Sequence, residues 1–357
     1  MTKRVLILGA SYGSLLGTKL LMGGHHVTLV CTKGTAELIN REGTVVRFPI
    51  KGWQGLLQVA SAALPGRLDA CTPEAADPRA YDLVVLGMQE SHYGEPQVRE
   101  LMGRIADARK PCLAIMNMPP LPYLRRIAGL ADADLRHCYA DPGVWDRFEP
   151  GLVTLASPDP QAFRPQGEPK NVLQVGLPTN FKAARFASDA HTALLRELEA
   201  DVENARFVGK AELEIPVKLK VHESLFVPMA KWPMLIAGNY RCIRAEEMIP
   251  IRDAVHGNVD RSREIYNWVA NLCMGLGAHA ADLVPFEKYA KAAEGLGKPS
   301  SAARALFGGA RHIERVDSLV ASIAGRLGAR SAPLHEIVRL VDQRLAQNRR
   351  ADELVAA

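Results

Sequence analysis

The stretch VLILGASYGSLLG, residues 5–17, constrains the fold more than any other part of the chain. Four apolar residues run into a turn of glycine, alanine and serine, and a helix-like pattern follows. Small side chains let the backbone bend sharply there. They also let backbone N–H groups approach a phosphate at the helix N-terminus. The usual dinucleotide-binding pattern is GxGxxG. Here Gly9 is its first glycine, and Ser11 and Ser14 stand at the next two positions. With one residue deleted from the turn, Gly13 takes the third glycine's role. Gly9, Ala10, Ser11, Tyr12, Gly13 and Ser14 are the expected cofactor cradle.

The alternation of strand and helix continues. HHVTLV (25–30) reads as a second strand, rich in β-branched residues, and YDLVVLGM and PCLAIMN hold two more. Continuous apolar runs separated by helical segments indicate a buried parallel sheet of the doubly wound α/β class. Beyond residue 138 two short strand-like runs flank a Pro/Gly/Gln stretch, which reads as a hairpin, and DAHTALLRELEAD reads as a helix. After residue 208 apolar residues recur at three- and four-residue steps, the mark of amphipathic helices. The expectation is a Rossmann-type domain over 1–207 and an all-helical domain over 208–357, with the boundary in 207–211. Two domains suit 357 residues, because a single core stops growing near ~250–300.

The second strand ends in VCTKG, with no acid. NAD sites often place Asp or Glu there for the ribose hydroxyls. Thr32 and Lys33 would instead meet a 2′-phosphate, which favours NADP. The six cysteines form no CxxC pair, so no metal is expected. No apolar run approaches the ~20 residues of a membrane span, and the N-terminus has no secretory pattern, so the expected location is cytoplasmic. The net charge of +5 is dispersed, with no concentrated basic face for nucleic acid. GxSxG, HExxH and P-loop lysine patterns are absent.

Five stretches together resemble the ketopantoate reductase family, which shares a Rossmann domain and a helical C-terminal domain with 6-phosphogluconate dehydrogenase. They are VLILGASYGSLLG, DLVVLGMQESHYGEPQV (82–98), LAIMNMPP (113–120), and the pair KLKVHESLFVPMAKW (218–232) and KPSSAARALFGGARHIERVD (298–317). The last pair is similar to the family patterns KLxxNxxxNPLTALW and SSMxxDxxxxRxTEID. The resemblance implies Met88, Gln89 and Asn117 beside the cofactor, with Gln89 where the family has lysine.

In that family a lysine on the first long helix is the general acid toward a 2-oxo acid's carbonyl, supported by a glutamate. The resemblance carries these roles to Lys218 and Glu314, with Lys220 as competitor for the first. His222 falls where the family has asparagine, on the same helix face as Lys218, and is a third catalytic candidate. Ser300 or Ser301, Asn117 and Arg311 would hold substrate, with Arg311 one helical turn before Glu314. Phe226, His222 and Gln89 replace polar groups, and a site with fewer polar partners suits a less polar substrate.

The implied activity is NADPH-dependent reduction of a 2-oxo acid or a related small ketone. The alternatives are an opine-type dehydrogenase acting on an imine of an amino acid and a 2-oxo acid, and a non-catalytic NADP-binding sensor. The implied partner is a small molecule, without nucleic acid or membrane; relatives occur as monomers and as homodimers.

Overall fold

The computed structural model describes residues 1–208 and 212–356. It divides into two compact units. The first comprises Met1–Met88, His92–Tyr123 and Gly143–Glu223; the second comprises Gln89–Ser91, Leu124–Pro142 and the chain from Ser224 onward.

The strands of the first unit are β1 (Arg4–Leu8), β2 (His26–Val30), β3 (Val45–Pro49), β4 (Leu56–Ala60), β5 (Arg67–Cys71), β6 (Leu83–Leu86), β7 (Cys112–Ile115), β8 (Val153–Ser157), β9 (Gln161–Phe163), β10 (Val172–Leu177), β11 (Phe181–Ala184), β12 (Phe207–Val208), β13 (Glu212–Leu213) and β14 (Leu219–His222). Its helices are α1 (Gly13–Met22), α2 (Lys33–Glu42), α3 (Pro96–Ala108), α4 (Leu121–Leu124, whose last residue falls in the second unit) and α5 (Asp189–Asn204).

Eight strands form one sheet in the order β14-β11-β8-β7-β6-β1-β2-β5. From β5 to β8 all neighbours are parallel. Val5, Leu6, Ile7 and Leu8 are each 1% exposed or less, so β1 is covered on both faces. A second sheet, β4-β3-β10-β9, is tied together by the parallel pairing of Val172 with Val45 and by the β9–β10 hairpin. The fold is Rossmann-type, with a helical second unit.

The segment expected to open the helical domain is extended instead. In VKLKVH (217–222) Val217, Leu219 and Val221 are buried while Lys218, Lys220 and His222 are half-buried. That alternation has the period of a strand. Main-chain pairing with β11 places β14 at the sheet edge. The first unit therefore runs to Glu223, beyond the boundary expected in 207–211, of which 209–211 lie outside the described residues.

The second unit opens with one continuous helical path. A 3-10 turn (Pro228–Lys231) leads into α6 (Trp232–Met234), a π turn (Leu235–Asn239) and a second 3-10 turn (Tyr240–Cys242). The path is followed by α7 (Ile251–His256), α8 (Val259–Gly275), α9 (Phe286–Ala293), α10 (Ser301–Phe307), α11 (Val316–Arg326) and α12 (Ala332–Ala356). Among the described residues no helix is long and apolar enough to cross a membrane.

Candidate functional site

The turn after β1 has the geometry of a phosphate cradle. Gly9 has φ of +101°, and its N–H donates to Val30 O at 2.9 Å, fixing the turn against the end of β2. A Cβ at Gly9 would lie 2.7 Å from Met88 Cγ, and one at Gly13 would lie 2.6 Å from Ile7 Cγ2. Gly13 thus admits close packing of α1 on β1, the role of the third glycine in the usual pattern. Ser14 Oγ donates to Ala10 O at 2.5 Å and holds the turn closed. The Ser11 carbonyl accepts from Ser14 N at 3.1 Å. Helix α1 begins at Gly13, so the positive end of its dipole lies at this turn, where Ser14 N and Leu15 N already close on Ser11 O and Tyr12 O. These residues fit a dinucleotide's pyrophosphate.

Tyr12 departs from the usual cradle. Its hydroxyl donates to Pro160 O at 2.7 Å, and its ring packs edge-on to Phe181 at 5.7 Å between centroids. Burial, with Asp159 adding to it, pushes the phenol well above its ordinary value. Its side chain is therefore engaged in the fold.

Beyond β2, Thr32 caps α2 through its carbonyl, which accepts from Ala36 N at 2.9 Å. Its hydroxyl donates to Thr35 Oγ1 at 3.0 Å. Lys33 is exposed at the first position of α2. Strands β1, β6 and β7 are neighbours, so the segments leaving their ends carry Gly9, Met88 and Asn117 along one edge of the sheet. Met88 N donates to Tyr93 Oη at 3.0 Å. Gln89 is exposed and falls in the second unit.

Lys218 does not stand on a helix. It lies just ahead of β14, where its ammonium pairs with Glu203 and with Glu214, the latter at 2.6 Å. These two carboxylates raise its pKa, away from the neutral range that a general acid needs. Lys220 pairs with the same Glu203, whose carboxyl is held down to about 2, chiefly by its hydrogen bond from Lys218 and then by that from Lys220. The environment neutralises both lysines within the first unit. His222, on β14, does not share a helix face with Lys218; its carbonyl accepts from Arg185 N at 2.9 Å.

The helical path of the second unit carries a further lysine at the spacing of the family pattern. Lys231 ends its first 3-10 turn, half-buried. Asn239 follows eight positions later, the lysine-to-second-asparagine spacing of the family pattern KLxxNxxxN. Leu235 stands at the intermediate position. Asn239 O accepts from Ser300 Oγ at 2.7 Å, and the next residue, Tyr240, donates its hydroxyl to Glu314 O. These bonds tie Asn239 and Tyr240, on the stretch that begins at Lys231, to Ser300 and to the main chain of Glu314.

Between Lys231 and Asn239 the helix widens into the π turn, a distortion common at functional sites. Tyr289 Oη donates to Met234 O at 3.1 Å there, and a Cβ on Gly238 would overlap Tyr289 Oη at 1.9 Å.

Ser300 is only 2% exposed and caps α10, accepting from Ala303 N at 3.1 Å. Its hydroxyl is committed to the fold on both sides, whereas Ser301 is exposed. Arg311 does not sit one helical turn before Glu314, because the chain is irregular until α11 starts at Val316. Glu314 is 8% exposed and neighbours a second buried carboxyl, Glu90, at 2%. Burial raises Glu90 to about 7, opposed by its bond from Ala140 N and helped by Glu314 and Asp141. Phe226, read as a lost polar group, packs near Gly277 in the core of this unit. Among the described residues no group of three or more His, Cys, Asp or Glu could hold a metal.

No protein-family model matches the sequence, and no curated protein sequence matches it either. Solved structures do match. A 2-dehydropantoate 2-reductase from Methylococcus capsulatus superposes with a TM-score of 0.67 at 13% identity, over 97% of each chain. A ketopantoate reductase from Ralstonia eutropha gives 0.62 at 15% identity, over 97% of this chain and 99% of that one. A D-mandelate dehydrogenase, solved with NADH and anilino(oxo)acetate, gives 0.64 at 12% identity over the same shares. The chain has the fold of these ketopantoate reductases and of D-mandelate dehydrogenase, from end to end.

Proposed function

We propose that the chain is a divergent ketopantoate-reductase-like oxidoreductase that uses NADP to reduce the carbonyl of a 2-oxo acid or a related small ketone. The observation that carries this reading is the helical path of the second unit, which runs from Lys231 to the Asn239–Ser300 and Tyr240–Glu314 hydrogen bonds. The cradle at Gly9 to Ser14 and the fold shared with dehydrogenases support the cofactor. The absence of an acid in VCTKG supports NADP over NAD.

The reduced nicotinamide supplies a hydride when bound. As negative charge builds on the substrate's carbonyl oxygen, an ammonium within reach stabilises it and delivers the proton. Lys231 takes that role, with Glu314 as its supporting carboxyl. Lys218 is held by two carboxylates and serves the fold. Leu235 in place of the first asparagine removes a polar partner, which favours an apolar substituent beside the carbonyl. Ser301 and Arg311, both of the second unit, would hold the substrate's polar end.

The test is NADPH oxidation over a panel of 2-oxo acids, with amino acids added in a parallel arm to detect imine reduction. Lys231→Ala should lower turnover by ~10²–10⁴-fold while cofactor binding persists. Lys218→Ala should keep turnover near wild type. The reverse outcome would overturn the lysine assignment. Turnover only with amino acids present would replace the substrate class, and cofactor binding without turnover on any substrate would make the chain a sensor.

A further inference from the structure

The β9–β10 hairpin reaches the nucleotide edge of the large sheet. Pro160, bonded to Tyr12 of the phosphate turn, immediately precedes β9. The next residue after that three-residue strand is Arg164. Burial pushes the thiol of Cys31, the first residue beyond β2, up to about 11; Cys71 adds to the rise, and the charge of nearby Arg164 opposes it. Cys31 is fixed in turn, since its N–H donates to Cys71 O at 3.0 Å. The segment 160–164 thus runs from the turn after β1 to the end of β2. In a Rossmann fold that second point is where the adenosine ribose is recognised.

Arg164 is exposed and has no carboxylate partner among the described residues. The acids of its own hairpin are taken. Glu168 is bound by Arg47 at 2.9 Å, and Asp159 by Lys182 at 3.3 Å. The residues beyond β2 are Cys31, Thr32, Lys33 and Gly34, with no acid among them. A guanidinium without a counter-ion, beside a ribose position without an acid, is suited to a second phosphate and not to two free hydroxyls.

We propose that Arg164, delivered by the β9–β10 hairpin and not by the turn after β2, recognises the 2′-phosphate of the adenosine ribose and sets the preference for NADP. This rests on the reading of the chain as an NADP-dependent oxidoreductase. Lys33 is then a secondary cation on α2.

Calorimetry with 2′,5′-ADP and 5′-AMP isolates this contact, because neither probe carries nicotinamide; NADPH and NADH are titrated alongside. The wild type should bind 2′,5′-ADP at least ~10-fold more tightly than 5′-AMP, as a charge-assisted contact implies. Arg164→Ala should remove most of that preference and leave 5′-AMP and NADH unchanged. Arg164→Lys should restore part of it, and Lys33→Ala should cost less than Arg164→Ala. Equal loss for both probes, or none in Arg164→Ala, overturns the assignment while the oxidoreductase reading stands. A wild type that prefers 5′-AMP and NADH overturns the assignment and the choice of NADP. A wild type that binds neither dinucleotide overturns both the assignment and the oxidoreductase reading.

Discussion

The hydroxyl of Tyr12 donates to the carbonyl of Pro160 at 2.7 Å, joining the phosphate turn to a hairpin far along the chain. A buried phenol whose pKa is raised well above the ordinary value stays protonated and keeps donating at any physiological pH. Tyr12→Phe keeps the edge-on contact with Phe181 and removes only this bond. It should cost about 1 kcal/mol of stability, read from urea unfolding, because Pro160 O loses its donor. Limited proteolysis should also cut the 161–171 segment faster in this variant; unchanged stability and cleavage would show that the bond does not hold the hairpin.

Gly13→Ala should destabilise the first unit by about 1–3 kcal/mol, because the added methyl meets Ile7 Cγ2 at 2.6 Å in a close-packed core. Gly34→Ala, on α2 with nothing within 4 Å of its Cβ, should be neutral or stabilising. Thermal unfolding of the two variants checks the contrast, and equal Tm values would mean that α1 has slack against β1.

Lys19 is 1% exposed, and its ammonium donates to Ile215 O at 2.7 Å. Burial, with Lys218 adding to it, lowers its pKa from 10.5 to about 8. The unfolded chain therefore binds the proton more strongly than the folded one. Stability should rise as pH climbs from about 8 to 10.5 and flatten on either side. Lys19→Met should abolish that rise, measured by urea unfolding across the window.

Glu90 has the opposite sign. Its carboxyl is raised from 4.5 to about 7, so the folded state keeps the proton longer than the unfolded state does. Stability should fall as pH rises from about 4.5 to 7, because the buried charge forms beside Glu314. Glu90→Gln should flatten this slope and be the more stable protein at pH 8. A parallel pH profile in both proteins would remove Glu90 as its source.

The large sheet was legible where burial is two-sided. VLIL and LVVL are uninterrupted apolar runs, and the strands they form, β1 and β6, lie side by side in its middle. The edge strand β14 was not read, although VKLKVH alternates cleanly. Its match to a lysine-bearing helix pattern outweighed the period of two, and with it went the placement of Lys218 and His222. The helical path from Lys231 to Asn239 holds Pro233 and a π turn, neither of which gives a regular helical period. Arg311 and Glu314 were placed one turn apart on a helix that begins only at Val316. The Arg164–Cys31 proximity depends on a pairing between distant strands, which no local pattern encodes.

The pairing of β3 with β10 has a consequence for synthesis on the ribosome. Strand β3 emerges early, and the edge it offers to β10 stays open until the second half of the unit has been translated. An open edge is a template for strands of other nascent chains, and such non-local closure is slow. Crowded expression should therefore trap this polypeptide as intermolecular aggregates during that interval, and slower elongation lengthens the exposure.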